Sequence, residues 1–151
     1  MAPTLELLME YSATLKAPVV VGAGPFGMRQ IFDVSGGEFH GPRLRGRILP
    51  SGADWLLVDP DGVGRLDVRA TFETDDGALI YLSYFGILHM DEGVVHKISG
   101  GGSSAYGDVY FFTQPRFETG DPRYAWMNRI FAIAQGKVGP LRVDYRVYQV
   151  G

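Results

Sequence analysis

The sequence predicts an all-β fold, and three observations support this class. Apolar and polar residues alternate at period two in most segments, which is the pattern of half-buried strands. Glycine is frequent, with 21 residues, and it falls between the alternating segments where tight turns are expected. Aromatic residues make up 13% of the chain, as is typical of strand-rich proteins. A chain of 151 residues predicts one domain over residues 1–151, large enough to bury a core.

Composition also limits the classes of partner. The formal net charge of −3 and the isoelectric point near 5.5 do not suit the dense basic surface that nucleic-acid binding needs. Cysteine is absent, so disulfides and thiolate chemistry are excluded. The longest apolar run, residues 17–23, is far shorter than the roughly 20 residues of a membrane helix. The N-terminus lacks the basic start of a signal peptide. We therefore expect a cytoplasmic protein with no nucleic-acid or membrane partner.

The first alternating segment runs from Leu5 to Leu15, and every odd residue in it is apolar. Leucine, methionine and glutamate are also good helix formers, so a helix is the alternative. The complete period-two match favours a strand. Next, Gly22, Gly24 and Gly27 match the G-x-G-x-x-G pattern of dinucleotide-binding turns. Such a turn requires a helix and a parallel strand after it, and neither follows, so we interpret the glycines as a loop between strands.

The middle of the chain predicts further strands. Residues 29–34 form a short one, and residues 49–55 make a turn into a strand that continues through Val58. Between them, Arg43, Arg45 and Arg47 alternate, so their side chains share one side of a strand. A solvated strand face explains these charges, and an anion site is the alternative.

The longest hairpin is predicted over residues 65–89. Asp75 and Asp76 fit a type I turn with Gly77 in a left-handed conformation behind them. A two-residue turn at Asp76 and Gly77 would instead mix charged and apolar side chains on each face. The longer turn places Thr74 opposite Ala78, and counting outward then pairs Phe72 with Ile80, Ala70 with Leu82, and Val68 with Tyr84.

The last third of the chain is less regular. Residues 91–104 are interpreted as a loop with a flexible glycine-rich tip, and residues 105–118 alternate again. Pro115 predicts a bulge or a departure from the sheet there. Asp121 and Pro122 predict the start of one short helical turn through Met127. Residues 129–135 and 141–150 predict a final hairpin.

Several motifs in this order resemble a known family. They are Gly24-Pro25 with Gly27, Gly36-Gly37, Gly41-Pro42, and the runs LPSGADW, LDVRATFETDDGALIY and FETGDPRYAWMN. Together they resemble the bacterial family known as domain of unknown function 3237, over nearly the whole chain. The resemblance implies a single-domain antiparallel β-barrel. From the usual length of strands in such folds we predict a closed up-and-down barrel of about eight to ten strands. It brings no established activity.

The polar face of the hairpin 65–89 is the candidate site. In a barrel this face, which includes Asp67, Arg69 and Tyr81, either meets solvent or lines the interior. A polar interior would let Arg69 anchor a small anionic or phenolic ligand. The residues predicted to bind a ligand are Trp55, Arg69, Tyr81, Trp126 and Asn128, and the residues predicted to be catalytic are Asp67 and Glu118.

Three functions remain open from the sequence. The first is a small-molecule-binding barrel. The second is an isomerase, lyase or hydrolase without a cofactor, with Asp67 or Glu118 as general base and Arg69 or Tyr81 stabilising an enolate or oxyanion. The third is a protein-interaction module. The spacing of His40, His89 and His96 does not suit metal binding, so no metal is expected. Apolar residues on both sides of the segment 106–117 predict a homodimer or higher homo-oligomer.

Overall fold

The fold contains nine strands and two short helices. The computed structural model describes residues 1–151. The strands are β1 (Leu5–Leu15), β2 (Val19–Gly24), β3 (Gly27–His40), β4 (Arg45–Val58), β5 (Val63–Thr74), β6 (Leu79–His89), β7 (Phe111–Glu118), β8 (Ala132–Gly139) and β9 (Arg142–Val150). The helices are α1 (Glu92–Ser99) and a 3-10 helix (Pro122–Arg129). Neither helix is long and apolar enough to cross a membrane.

The strands form one antiparallel sheet that closes on itself. From β3 to β9 each strand pairs with the next one in the chain. β1 pairs with both β9 and β3, and this completes a ring of eight strands. β2 lies outside the ring and pairs with the first half of β3. The closed antiparallel barrel is therefore confirmed, with eight strands in the ring and a ninth attached to it.

Closure depends on a change of partner within β3. This strand pairs with β2 over residues 27–31 and with β1 over residues 34–40. Its register against β4 shifts between Asp33 and Glu38, as in a β-bulge that bends a strand. A Cβ atom on Gly37 would lie 2.1 Å from the carbonyl oxygen of Ser12. Glycine is therefore required where the two strands of the seam approach most closely.

Alternate residues of each strand point into the barrel. On β5, Leu66, Val68, Ala70 and Phe72 are buried, whereas Arg69 between them is exposed. Aromatic rings fill part of the interior, and the rings of Phe39 and Phe72 stack with their centroids 4.8 Å apart. The largest fully buried side chains are those of Tyr145, Phe39, Phe72, Phe111, Met9, Ile80, Leu82, Met127 and Val147.

The register predicted for the hairpin of β5 and β6 is confirmed. Val68 pairs with Tyr84, Ala70 with Leu82, and Phe72 with Ile80. The backbone N–H of Thr74 donates to the carbonyl of Ala78, and the Thr74 hydroxyl accepts from the Ala78 N–H at 2.8 Å. Gly77 has a φ of +88°, as the turn requires. The segregation of apolar and charged residues thus predicts the turn correctly.

Two details of the chain after β6 differ from expectation. Residues 91–104, interpreted as a loop, begin with α1, whose first turn is capped by a hydrogen bond from the Val94 N–H to Asp91 Oδ1 at 2.8 Å. Val94 is the only buried residue of this eight-residue helix, so its apolar periodicity is too weak to be recognised. The strand expected from residue 105 begins only at Phe111.

The predicted short helix and final hairpin are present near the end of the chain, but the bulge predicted at Pro115 is not. β6 and β7 pair without a shift from Leu88–Phe111 to Tyr81–Glu118. β8 pairs with β7 only at Phe112 and Thr113, so the proline lies at an edge of the ladder, where it is tolerated. The predicted helical turn is a 3-10 helix that starts at Pro122, and the final hairpin turns at Pro140 and Leu141.

Replacing Gly77 with valine should lower the free energy of unfolding by about 1–3 kcal/mol, the usual range for a residue forced into the left-handed region. A Cβ atom at this position meets nothing within 4 Å, so the cost arises from backbone conformation alone. Gly120→Val is the matched control, because Gly120 also has open space around it but no positive φ. Urea unfolding that shows equal losses for the two variants would contradict the assigned turn.

Candidate functional site

The barrel encloses a cavity of about 330 Å³, to which all eight strands of the ring contribute. Twenty-one of its 25 lining residues are hydrophobic. The volume lies within the range of small-molecule sites, about 300–1,000 Å³. A cavity with these walls favours a small molecule whose surface is mostly apolar.

The cavity opens at the end of the barrel that carries the turn between β8 and β9. Leu141 and Arg142 at this turn are exposed and also line the cavity. Ile98 of α1 lines it from the segment that follows β6. That segment is attached to β8 by two hydrogen bonds, from the Ser104 N–H to the Val138 carbonyl at 2.8 Å and from the Val138 N–H to Ser104 Oγ at 3.0 Å. The opening is therefore bordered by β8, β9 and α1.

Asp54 is the only carboxylate among the lining residues. It lies on β4 opposite Val68, and its Oδ1 accepts a hydrogen bond from the backbone N–H of Asp67 at 3.2 Å. Its Oδ2 has no hydrogen-bond partner in the protein. Burial raises the pKa of Asp54 from 3.8 to about 7, against the stabilising effect of the Asp67 N–H and of the Arg29 charge. The Asp67 charge raises this pKa further.

Three tyrosines bring further polar atoms to the cavity. Tyr11 on β1, Tyr84 on β6 and Tyr145 on β9 are buried and line it. The Tyr84 hydroxyl donates to the Tyr145 hydroxyl at 3.3 Å, and the Tyr11 hydroxyl has no hydrogen-bond partner. Burial holds the pKa of all three well above 10, and the nearby Asp54 charge adds to the increase for Tyr84 and Tyr145. All three hydroxyls therefore stay protonated at neutral pH.

Of the two orientations left open for the polar face of the hairpin 65–89, the one that lines the interior is wrong. The polar residues of β5 lie on the outer face, because the apolar alternates of the same strand fill the interior. Arg69 is exposed, and its guanidinium lies 5.4 Å from the centre of the Trp55 ring. Asp67 is half-buried, and its backbone rather than its carboxylate contacts Asp54. Arg69 and Trp55 thus do meet, but outside the cavity.

The other predicted residues are also outside the cavity. Tyr81 is 38% exposed and pairs with Glu118, which is exposed at the end of β7. Trp126 lies under the guanidinium of Arg43, 3.5 Å from its ring centre. Asn128 ties the 3-10 helix to Thr119 through hydrogen bonds of 2.8 and 3.0 Å. None of these four residues lines the cavity, and roles for them in binding or catalysis stay predictions without support from its geometry.

Sequence reasoning missed Asp54 and the tyrosines. Asp54 lies two residues before Leu56, which also lines the cavity. Strand alternation therefore predicts that the two side chains point the same way, into the barrel. The signal is weak because Trp55 and Leu57 make the outward positions apolar too. No group of three or more histidine, cysteine, aspartate or glutamate side chains is placed to hold a metal ion.

Comparisons with known proteins agree with the barrel. The chain is 35% identical over 152 residues to the UPF0311 protein RPA1785 of Rhodopseudomonas palustris, covering 99% of each chain, and the crystal structure of that protein matches with a TM-score of 0.90. A β-barrel-like protein from Acinetobacter baumannii matches with a TM-score of 0.85 at 34% identity, over 100% of this chain and 98% of that one. An enzyme from Penicillium herquei shares the fold, with a TM-score of 0.74 at 19% identity, over 100% of this chain and 96% of that one.

A family model matches residues 3–150, nearly the whole chain. The family named from the sequence motifs is thereby confirmed. This chain belongs to the family described as "Protein of unknown function (DUF3237)".

Proposed function

We propose that the barrel binds a small, largely apolar molecule that carries a hydroxyl group, and that this hydroxyl donates to Asp54. The observation that carries the proposal is a single carboxyl group, with Oδ2 free, in a cavity lined almost entirely by apolar side chains. Sites of this kind gain affinity from apolar burial and orientation from a few polar groups.

The charge of the cavity favours neutral ligands over anions. Arg69, the residue predicted to hold an anion, is outside the cavity. The one cation that lines it, Arg142 at the opening, is paired with Asp144 at 2.9 Å, and the charged group in the interior is a carboxyl. A ligand carboxylate beside ionised Asp54 would meet repulsion in a medium of low dielectric constant. Of the two ligand classes expected from the sequence, phenols therefore fit this cavity and small anions do not.

A second function, acid–base catalysis in the same cavity, is favoured by the pKa of Asp54. A general base works best when its pKa lies near the working pH, and burial brings that of Asp54 to about 7. Strongly shifted carboxyl groups in cavities are concentrated at functional sites. Asp54 replaces Asp67 and Glu118, the two carboxylates predicted from the sequence, as the group we assign to this role.

We also propose that the chain forms a homo-oligomer in the cytoplasm, as the sequence predicts. The outer surface around β6 and β7 supports it, because Phe85 is 69% exposed and the exposed rings of Tyr110, just before β7, and Phe112 pack edge to face. Exposed aromatic side chains are enriched in subunit interfaces. Light scattering should report at least a dimer at micromolar concentration, and Phe85→Ser should shift the mass toward the monomer. A monomeric wild-type protein would contradict the proposal.

A neutral phenol should stabilise the protein, and a carboxylate of the same shape should not. We expect 2-naphthol to raise the melting temperature at pH 7, whereas 2-naphthoate leaves it nearly unchanged. Leu56→Trp should abolish the effect of 2-naphthol, because Leu56 lines the cavity and the larger side chain fills it. Leu57→Trp is the matched control, since the neighbouring residue does not line the cavity. Equal shifts in both variants would place the ligand elsewhere.

The pKa of Asp54 predicts how stability depends on pH. Between about pH 4 and 7 this carboxyl is ionised in the unfolded chain and protonated in the folded one, so the unfolded state holds fewer protons. The free energy of unfolding therefore falls as pH rises through this window, by about 1.4 kcal/mol per unit of pKa difference. Asp54→Asn should remove this pH dependence. Its free energy of unfolding, relative to that of wild type, should therefore be higher at pH 8 than at pH 4.

Urea unfolding at both pH values measures this difference. Glu118→Gln is the control, because it removes a carboxylate from the exposed end of β7. Wild type and Asp54→Asn curves that stay parallel from pH 4 to 8 would mean that Asp54 ionises in the folded protein as it does in the unfolded chain.

A further inference from the structure

The cavity contains more hydrogen-bond donors than the protein uses. Tyr84 and Tyr145 hold two hydroxyl protons, and the bond between them uses only one. The Tyr11 hydroxyl adds a third proton with no acceptor. Buried polar groups are nearly always hydrogen-bonded, and leaving one unpaired costs about 1–3 kcal/mol. The surplus therefore calls for an acceptor oxygen brought by a ligand.

The same cavity holds one strong acceptor of protons. Asp54 lines it together with the three tyrosines, and its free Oδ2 can take a proton without losing the hydrogen bond that Oδ1 accepts from the Asp67 N–H. A base and a set of neutral hydroxyl donors thus share one largely apolar cavity. This combination suits a reaction in which a proton leaves a carbon atom while negative charge develops on a nearby oxygen.

We propose that this cavity catalyses the enolisation of neutral, apolar ketones, with Asp54 as the base and the Tyr145 hydroxyl, which accepts from Tyr84, as the donor to the ketone oxygen. The proposal rests on the proposed function, because the ketone must first occupy the cavity. It narrows the substrate class to a carbonyl compound and its enol, and a phenol is the stable analogue of that enol.

The reaction balances without a further reagent. Ionised Asp54 removes a proton from the carbon next to the carbonyl, and the electrons of the broken C–H bond form the C=C bond of the enolate. The carbonyl oxygen takes the negative charge and accepts a hydrogen bond from the Tyr145 hydroxyl. The proton then returns from Asp54 to the oxygen, which gives the enol, or to carbon, which regenerates or isomerises the ketone.

The apolar walls of the cavity strengthen both the base and the hydrogen bonds to the oxyanion. Asp54 keeps its proton affinity because water is largely replaced by side chains such as Val68, Leu66 and Leu82. Hydrogen bonds to a developing oxyanion are also stronger in such surroundings than in water. The tyrosines come from different strands, β6 and β9, so the closed barrel fixes their separation. The donors therefore need little rearrangement during the reaction.

Hydrogen–deuterium exchange tests the proposal directly. The wild-type protein, incubated with 2-tetralone in D2O, should speed the loss of the proton signals next to the carbonyl, followed by NMR against a buffer blank. Asp54→Asn should lower the protein-dependent rate by about 100-fold or more, and Tyr145→Phe by about 100-fold. Glu6→Gln and Tyr148→Phe are the matched controls, because neither residue lines the cavity, and both should exchange at the wild-type rate.

The pH profile of the wild-type protein gives a second readout that needs no variant. The protein-dependent rate should rise with pH through about 7 as Asp54 ionises. The groups that act on this carboxyl are Arg29 from β3 and Asp67 from β5, and it in turn lies near Tyr84 from β6 and Tyr145 from β9. The tyrosines stay protonated in this range, so the profile should follow one ionisation.

The outcomes separate the two proposals. If 2-tetralone raises the melting temperature but exchanges no faster than with Asp54→Asn, the enolisation proposal is overturned and the binding function stands. If neither 2-tetralone nor 2-naphthol shifts the melting temperature and no exchange is seen, both are overturned. Accelerated exchange that persists in Asp54→Asn, or that Tyr148→Phe reduces as much as Tyr145→Phe does, would also overturn the enolisation proposal.

Discussion

Closure of the sheet between β1 and β3 is the constraint on which the rest of the molecule depends. It is made possible by the bulge and by Gly37, which brings the backbone of β3 against that of β1. Once the ring is closed, each strand has one face inside and one outside, and the inside has almost no water to solvate polar groups. Inward positions must then be apolar unless a group there has a partner. The outer face has no such restriction, so the charged alternates of β5 lie there.

Asp54 is a carboxylate at an inward position, where an apolar residue is expected. Its pKa near 7 shows that one peptide N–H and the charge of Arg29 do not offset the loss of water around the carboxylate. A hydrophobic side chain would fit the same position at a lower cost in stability. A buried carboxylate that lowers stability and leaves one oxygen without a partner is better explained by a role in ligand binding than by a role in folding. The unused tyrosine hydroxyls in the same cavity point in the same direction.

Sequence patterns predicted the fold better than the site, and particular residues show why. In β5 and β6 the charged and apolar residues separate cleanly, so the register of Val68 with Tyr84 follows from counting outward from the turn. In β4 both sides of the strand are apolar near Trp55, so alternation does not mark Asp54 as inward. Tyr11 and Tyr145 pair in the folded chain but lie far apart in sequence. α1 has one buried residue, which is too little for a helical periodicity to emerge.

The misplaced site has a general cause in barrels. The sequence draws attention to Arg69 because its charge is conspicuous, yet a strand that alternates cleanly puts such residues in solvent at no cost. On the outer face Arg47 and Glu73 form an ion pair of 2.8 Å, and both are at least partly exposed, so the pair adds little to stability. Polar groups become meaningful where they break the apolar alternation of the interior. Asp54 does so among Leu56, Leu66 and Val68, and the three tyrosine hydroxyls do so within an otherwise aromatic and aliphatic wall. In a closed barrel, function is therefore best inferred from the polar residues at inward positions, which lower the free energy of unfolding the most.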